Sequence, residues 1–265
     1  FLERKNPSAT LAWLMILFVV PGFGILLYVM LSQNISRHKI FTLSHFEEKR
    51  INDALLYQME DMKNNQFVYS NRGEARWKDM IRLNQLYGNA FLTQDNRVQV
   101  LTQGTEKFSH LLNDIAAAEK NIHIEYFILK PDTVGLAFIE ALAKKAEEGV
   151  RVRLLLDAMG SSRIRRKHLQ RLEQAGGQVA FFFPPKLFRF FNFKLNYRNH
   201  RKLAVIDSKV AYLGGFNVAN EYVGISARFS SWRDTHIRVE GGCVQDIDAR
   251  FVLDWRFASG EDLSI

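Results

Sequence analysis

The stretch Asn199-His200-Arg201-Lys202-Leu203-Ala204-Val205-Ile206-Asp207-Ser208-Lys209-Val210-Ala211-Tyr212-Leu213-Gly214-Gly215-Phe216-Asn217 decides how this chain is read. Residues 203–206 and 210–213 are short apolar runs, partly β-branched, on either side of the turn pair Asp207-Ser208. They predict a strand, a tight turn, a second strand and a glycine elbow. Side chains alternate across a strand, so His200 and Lys202 face the same way. An imidazole beside an ammonium, followed by glycines whose backbone N–H groups can approach an anion, suits a phosphate-handling site. The plainer alternative is a charged strand end whose histidine is merely hydrogen-bonded.

Outward from that stretch, composition sets the bounds. A chain of 265 residues with 47% apolar content builds one large or two modest domains around a substantial core. A formal net charge of +8 points to an anionic partner, either nucleic acid or an anionic membrane surface. Cys243 is the one cysteine, which excludes an internal disulfide and a cysteine-based metal site. No HExxH, paired-aspartate or Cys/His ligand spacing occurs, so neither a metal nor any other cofactor is expected. The chain opens on Phe1 rather than Met, and residues upstream of it are expected.

Residues 6–36 carry no charge, and 11–31 is an apolar run broken only by Pro21, Gly22 and Gly24. About 21 residues suffice to cross ~30 Å of hydrocarbon, so a transmembrane helix is predicted over 11–31. Trp13 and Tyr28 fit interfacial anchors. Positive charge at Arg37, Lys39, Lys49 and Arg50 outweighs Arg4 and Lys5, which places the following domain on the cytoplasmic side. Residues 43–62, with Ile51, Leu55, Leu56 and Met59 at helical spacing, predict a juxtamembrane helix. Residues 75–87 predict another, with Trp77, Met80, Leu83 and Tyr87 on a stripe expected to pack into the core. The resulting division is a membrane anchor over 1–34, a juxtamembrane helical region over 35–95 and a catalytic-type domain over 96–265.

From residue 96, strands are predicted near 98–101, 121–128, 151–156, 179–183 and 235–240, beside the pair in the opening stretch. Helices are predicted near 108–119, 133–148, 164–175 and 244–258. Alternation of this kind predicts α/β/α layers around a mostly parallel sheet, with ligands beyond the carboxyl ends of the strands. Between Glu173 and Asp207 no acidic residue occurs, while six lysines and arginines are interleaved with eight aromatic residues. Residues 184–196 are therefore expected to form a membrane-contacting lip leading to His200, the alternatives being phenylalanines packed in the core or rings stacked on single-stranded nucleic acid. His123, His168 and His236 are read as structural or solvated.

The His200-x-Lys202-x4-Asp207 spacing followed by Gly214-Gly215-Phe216-Asn217 resembles the signature of the phospholipase D superfamily. The passages RKNPSATLAW (4–13), HIEYFIL, VRLLLDAMGS, LNYRNHRKLAVIDSKVAYLGGFN and WRDTHIRVEG extend that resemblance to bacterial cardiolipin synthases along almost the whole chain. The resemblance implies joining of two phosphatidylglycerol molecules into cardiolipin with release of glycerol, through a phosphohistidine and without a metal. It makes His200 a catalytic imidazole and Lys202 and Asn217 phosphate ligands. Asp207 completes the catalytic triplet, mainly as a structural tether. Asp234 stands where the superfamily has an acid that orients the histidine of the opposite half. Such enzymes carry two motifs and usually two membrane helices, so the chain is expected to be the N-terminal half of a longer protein, completed by a C-terminal half with a second motif or by a homodimer partner.

Expected partners are therefore an anionic phospholipid, phosphatidylglycerol, and the bacterial inner (cytoplasmic) membrane, with the catalytic domain in the cytoplasm and no nucleic acid. The alternatives are a hydrolase of the same superfamily acting on lipid or nucleic acid, and a membrane-anchored binding module with a vestigial motif.

Overall fold

The computed structural model describes residues 7–31, 43–182, 198–226 and 231–263. The lip expected over 184–196 lies outside the described residues. The chain divides into two compact units, one containing the N-terminal helices and the other the whole sheet.

In the first unit the apolar run is not one helix. It forms α1 (Pro7–Val19) and α2 (Pro21–Leu31), and no described helix is long and apolar enough to cross a membrane. The single span expected over 11–31 is corrected accordingly. The break falls at Pro21, which lacks an N–H and whose ring would clash with the carbonyl four residues back, but which fits the first position of a new helix. The two helices fold back on each other: Trp13 and Tyr28 meet edge-to-face with ring centroids 5.3 Å apart. Gly24 permits the approach, since a Cβ there would lie 2.9 Å from the Ile16 carbonyl oxygen.

The second unit opens with α3 (His45–Lys63), started by a capping box between Ser44 and Glu47. A 3₁₀ turn (Arg72–Trp77) leads into α4 (Lys78–Gly88). Then follow β1 (Arg97–Gln103), α5 (Gly104–Ala116), β2 (Asn121–Tyr126), α6 (Thr133–Glu147), β3 (Arg151–Asp157), α7 (Arg166–Gln174) and β4 (Gln178–Phe182). After residues 183–201 come β5 (Lys202–Ile206), β6 (Val210–Gly214), a 3₁₀ turn (Asn220–Val223), β7 (Arg233–Glu240) and α8 (Cys243–Ser259).

One sheet runs in the order β1-β7-β6-β5-β2-β3-β4. Only β2–β3 and β3–β4 pair in parallel; the other four pairings are antiparallel. The expectation of a mostly parallel sheet therefore fails for the pairings, for a definable reason. Helical crossovers do leave β1 to β4 pointing the same way, but β5 and β7 run opposite and insert between them. The β5–β6 connection is three residues long, and within it Lys209 N–H donates to the Ile206 carbonyl at 2.9 Å across Asp207 and Ser208, which both adopt positive φ, 53° and 52°, as a type I′ turn requires. A connection that short can join only antiparallel strands.

Alternation along the strands separates two cores. Ile122, Ile124, Leu154 and Leu156 pack with Phe108, Leu111, Phe138, Leu142 and Leu172 from α5, α6 and α7. Leu155, Ala180, Leu203 and Val205 pack with Val244, Phe251 and Trp255 from α8. Each fully buried side chain of this size contributes about 1.5–3 kcal/mol, so the three layers are held by apolar burial on both sheet faces.

Helix α4 departs from expectation. Its stripe does not enter a core: Trp77, Met80, Leu83 and Tyr87 are all exposed, and the buried residue is Gln85.

Candidate functional site

The carboxyl ends of β2, β3 and β6 meet the amino end of β5, because β5 runs against them. His200 projects from the residues just before β5 and is exposed. Its ring stacks on Phe127, centroids 3.9 Å apart and planes 19° from parallel. The Lys202 amine lies 5.4 Å from the centroid of the same ring and donates to the His200 carbonyl oxygen. The expected juxtaposition of imidazole and amine is thus present, with Phe127 as its floor. Burial lowers the Lys202 pKa, and the Asp234 charge partly restores it.

Behind this pair a single row crosses the sheet. Tyr126 pairs with Lys202, Gly214 pairs with His236, and Lys202 lies one residue beyond the Leu203–Leu213 pair, next to Gly214. Register partners share a face, so Tyr126, Lys202 and His236 all point toward α5. Gly214 supplies the space between the last two, since a Cβ there would fall 2.6 Å from His236 Nδ1. From α5 the wholly buried Lys107 donates to Tyr126 Oη at 2.7 Å. Burial pushes the Lys107 pKa well down. His236 is fully buried, and neither ring nitrogen has a hydrogen-bond partner. Burial, then the charges of Lys107 and Lys202, bring its pKa to about 2. Lys107 and Lys202 thus flank a neutral imidazole in surroundings that work against charge on both amines. His236 and Lys107 are not singled out as site residues by the sequence. The two-residue spacing of Asp234 and His236 is the available signal, since it puts both on one strand face.

Asp234 lies against Gly215, where a Cβ would approach its Oδ1 to 1.9 Å, and its Oδ1 accepts from the Thr235 N–H at 2.7 Å. Asn217 is buried: its Oδ1 accepts from the Ile128 N–H at 3.0 Å and its Nδ2 donates to Tyr222 Oη at 2.7 Å. The second N–H of that amide is used by neither bond. Among the described residues no three His, Cys, Asp or Glu side chains gather as a metal ion would require. An open cleft of about 540 Å³ beside β4, lined by Arg166, Glu173 and Trp255, contains none of these site residues.

Asp207 is not brought to this site. It stands at the far end of β5, where Oδ1 accepts from the Lys120 and Asn121 N–H groups at 2.7 and 2.9 Å and Oδ2 from Glu119 at 2.9 Å. Against a burial effect that works to raise it, these three donors hold its pKa below the ordinary value. Hydrogen bonds to a charged acceptor contribute about 1.5–3 kcal/mol each when buried, less here because the site is partly open. Asp207→Ala should therefore destabilise the chain by about 3 kcal/mol, read as a lower denaturation midpoint, with unchanged activity per folded molecule. Unchanged stability would exclude the tether.

His123 is nearly buried, bonded to Asp248 Oδ1 at 2.6 Å and stacked on Phe251. Ser208 Oγ donates to the other oxygen of Asp248 at 2.6 Å, so this carboxylate ties α8 to β2 and to the β5–β6 turn. His168 accepts from the Arg165 N–H at the start of α7. Both are structural, as expected.

His200 is held from below by its neighbours. The Asn199 N–H donates to Asp157 Oδ2 at 3.1 Å, its side-chain amide donates to Glu125, and Arg201 pairs with Asp254 at 3.1 Å. Glu125 and Asp254 are both buried; burial first, then the Asp254 charge, raise the Glu125 pKa from 4.5 to about 8. The folded chain thus keeps a proton on Glu125 that the unfolded chain sheds above pH 4.5, so this group makes stability fall as pH rises toward 8. His236 has the opposite sign: below its ordinary 6.5 the unfolded chain takes up a proton that the folded chain refuses. Each contributes about 1.4 kcal/mol per pH unit, and they cancel between about pH 4.5 and 6.5. Above pH 6.5 Glu125 acts against the Lys107 and Lys202 amines, whose lowered pKa values have the opposite sign. Between about pH 6.5 and 8 the parent is expected to lose about 2 kcal/mol relative to Glu125→Gln. Denaturant midpoints of both proteins at the two pH values check this, and a parallel pH dependence of parent and variant would exclude Glu125.

Layers, sheet order and the His-x-Lys strand end together describe a phospholipase D-like domain, and comparison with known proteins agrees. Residues 111–231 match the family described as cardiolipin synthase, PLD-like domain, and residues 1–33 match phospholipase D-nuclease N-terminal. The major cardiolipin synthase ClsA of Bacillus subtilis is 45% identical over 259 residues, which is 98% of this chain and 54% of that protein. A cardiolipin synthase of Oceanobacillus iheyensis is 43% identical over 263 residues, 99% of this chain and 54% of that one. The phosphatidylserine synthase of Haemophilus influenzae shares the fold, with a TM-score of 0.51 at 17% identity over 66% of this chain and 40% of that one. Over nearly its whole length the chain is thus similar to cardiolipin synthases of the phospholipase D superfamily. It spans 54% of the length of the two curated relatives.

Proposed function

We propose that this chain carries one half-site of a phosphatidyltransferase that joins two phosphatidylglycerol molecules into cardiolipin and releases glycerol. The observation that carries the reading is the exposed His200 imidazole beside the Lys202 amine. A phosphodiester anion suits such a site. In the proposed reaction a ring nitrogen of His200 attacks phosphorus, the bond to the glycerol oxygen breaks, and the phosphatidyl group rests on the histidine. Lys202 and the remaining Asn217 N–H meet the non-bridging oxygens. The terminal hydroxyl of a second phosphatidylglycerol then attacks phosphorus, the P–N bond breaks, and a base takes the hydroxyl proton.

Glycerol leaves well only when its oxygen is protonated. His236 is a poor source, because with a pKa of about 2 it carries no extra proton at neutral pH. We therefore place the second acid–base group outside these residues, in further chain bearing a second motif or in a second copy of this one, with Asp234 orienting that partner's imidazole. The exposed apolar residues of α1 and α2, such as Phe18 and Phe23, support membrane association, which we assign to the bacterial cytoplasmic membrane with the sheet unit on the cytoplasmic side.

The test is to incubate membranes carrying the complete protein with phosphatidylglycerol and assay for cardiolipin and glycerol together. Release of phosphatidic acid without cardiolipin would replace transfer by hydrolysis.

A further inference from the structure

Helix α4 is turned inside out. The residue it buries is polar: Gln85 donates to Gln58 Oε1 at 2.9 Å and reaches Met62 Sδ at 3.5 Å. Ile81 beside it is half-buried, but the other large apolar residues are exposed, Met80 at 53%, Leu83 at 56%, Leu86 at 52% and Tyr87 at 83%, as is Trp77 just before the helix at 49%. At 3.6 residues per turn, Met80, Leu83 and Tyr87 lie roughly 140–160° round the helix from Gln85. A surface helix ordinarily buries its apolar stripe and shows its polar one. Here the hydrogen bonds of Gln85 hold the helix in the reverse sense.

We propose that α4 is an interfacial membrane helix, lying in the headgroup layer of an anionic bilayer with Met80, Leu83 and Tyr87 toward the acyl chains. Three observations favour lipid over a protein. The face is small: 11 residues give a footprint of roughly 16 by 10 Å, a minor fraction of the ~800 Å² per partner of a stable protein interface. Aromatic rings stand at both ends, Trp77 and Tyr87, with aliphatic residues between them, as an interfacial segment requires. The exposed charges at its start and flank are three basic residues, Arg76, Lys78 and Arg82, against one acidic, Asp79, which complements anionic headgroups. Arg76 already lies over the Trp77 ring, 5.1 Å from its centroid, so the cation and the aromatic anchor move as one. This inference is independent of the chemistry at His200 and concerns how the sheet unit is held against its surface.

The test uses the whole chain with Cys243→Ser, so that Leu83→Cys supplies the one thiol for a bimane label; Lys78→Cys labelled in the same way is the control. Each protein is reconstituted into phosphatidylcholine vesicles with and without phosphatidylglycerol. Circular dichroism confirms the fold. With phosphatidylglycerol present, the label at 83 is expected to shift to the blue, to be quenched by a shallow lipid nitroxide and to lose iodide access by at least about threefold, whereas the label at 78 stays open to iodide. Full iodide access at 83 in anionic vesicles would overturn the proposal. Protection that is equal in both vesicle types, or that disappears on diluting the protein, would also overturn it by assigning the face to a protein partner or a second copy.

Discussion

With His200 replaced by alanine, phosphatidyl transfer is expected to fall at least about 10³-fold while the fold stays intact. The imidazole is exposed and contributes a stacking contact on Phe127 rather than core volume, so its removal costs little stability. Its neighbours remain fixed by Asp157, Glu125 and Asp254. The measurement is cardiolipin formation from phosphatidylglycerol by the complete protein, with circular dichroism as the check on folding. Parent-level turnover by folded His200→Ala protein would remove His200 from the reaction.

Lys202→Met should cost about 10²–10³ in kcat/KM, with most of the loss in kcat. Methionine keeps the apolar stem beside Phe127 but deletes the ammonium, leaving the growing charge on the non-bridging oxygens without its nearest donor. The Lys107 amine lies deeper, bonded to Tyr126, and does not replace it. A rise in KM at unchanged kcat would restrict Lys202 to ground-state binding.

Much of this arrangement is legible in the sequence because it is local. Each of the seven strands and α5 to α8 follows from periodicity and turn residues, and the parity of His200 and Lys202 follows from strand geometry alone. Pairing is not local: nothing near β5 or β7 shows that they insert among strands joined by helical crossovers. The groups behind the site arrive from far apart, Lys107 from α5, Tyr126 from β2 and His236 from β7, and only register aligns them. The apolar run of 11–31 carries its own break in Pro21, which a length count over the run passes over. The stripe on α4 is correctly periodic, but periodicity cannot say which way a stripe faces; the Gln85–Gln58 bond decides that.

Strand β5 carries chemistry at one end and a structural anchor at the other, and this makes its length a fixed quantity. One residue added or removed between Lys202 and Asp207 would reverse the parity, sending Lys202 to the α8 side of the sheet or pulling Asp207 off the three N–H groups it caps. Two residues would restore parity but slide the amine about 7 Å along the sheet, past Tyr126 and Gly214. Substitutions within 203–206 are therefore graded in their effect, whereas insertions and deletions there are all-or-none.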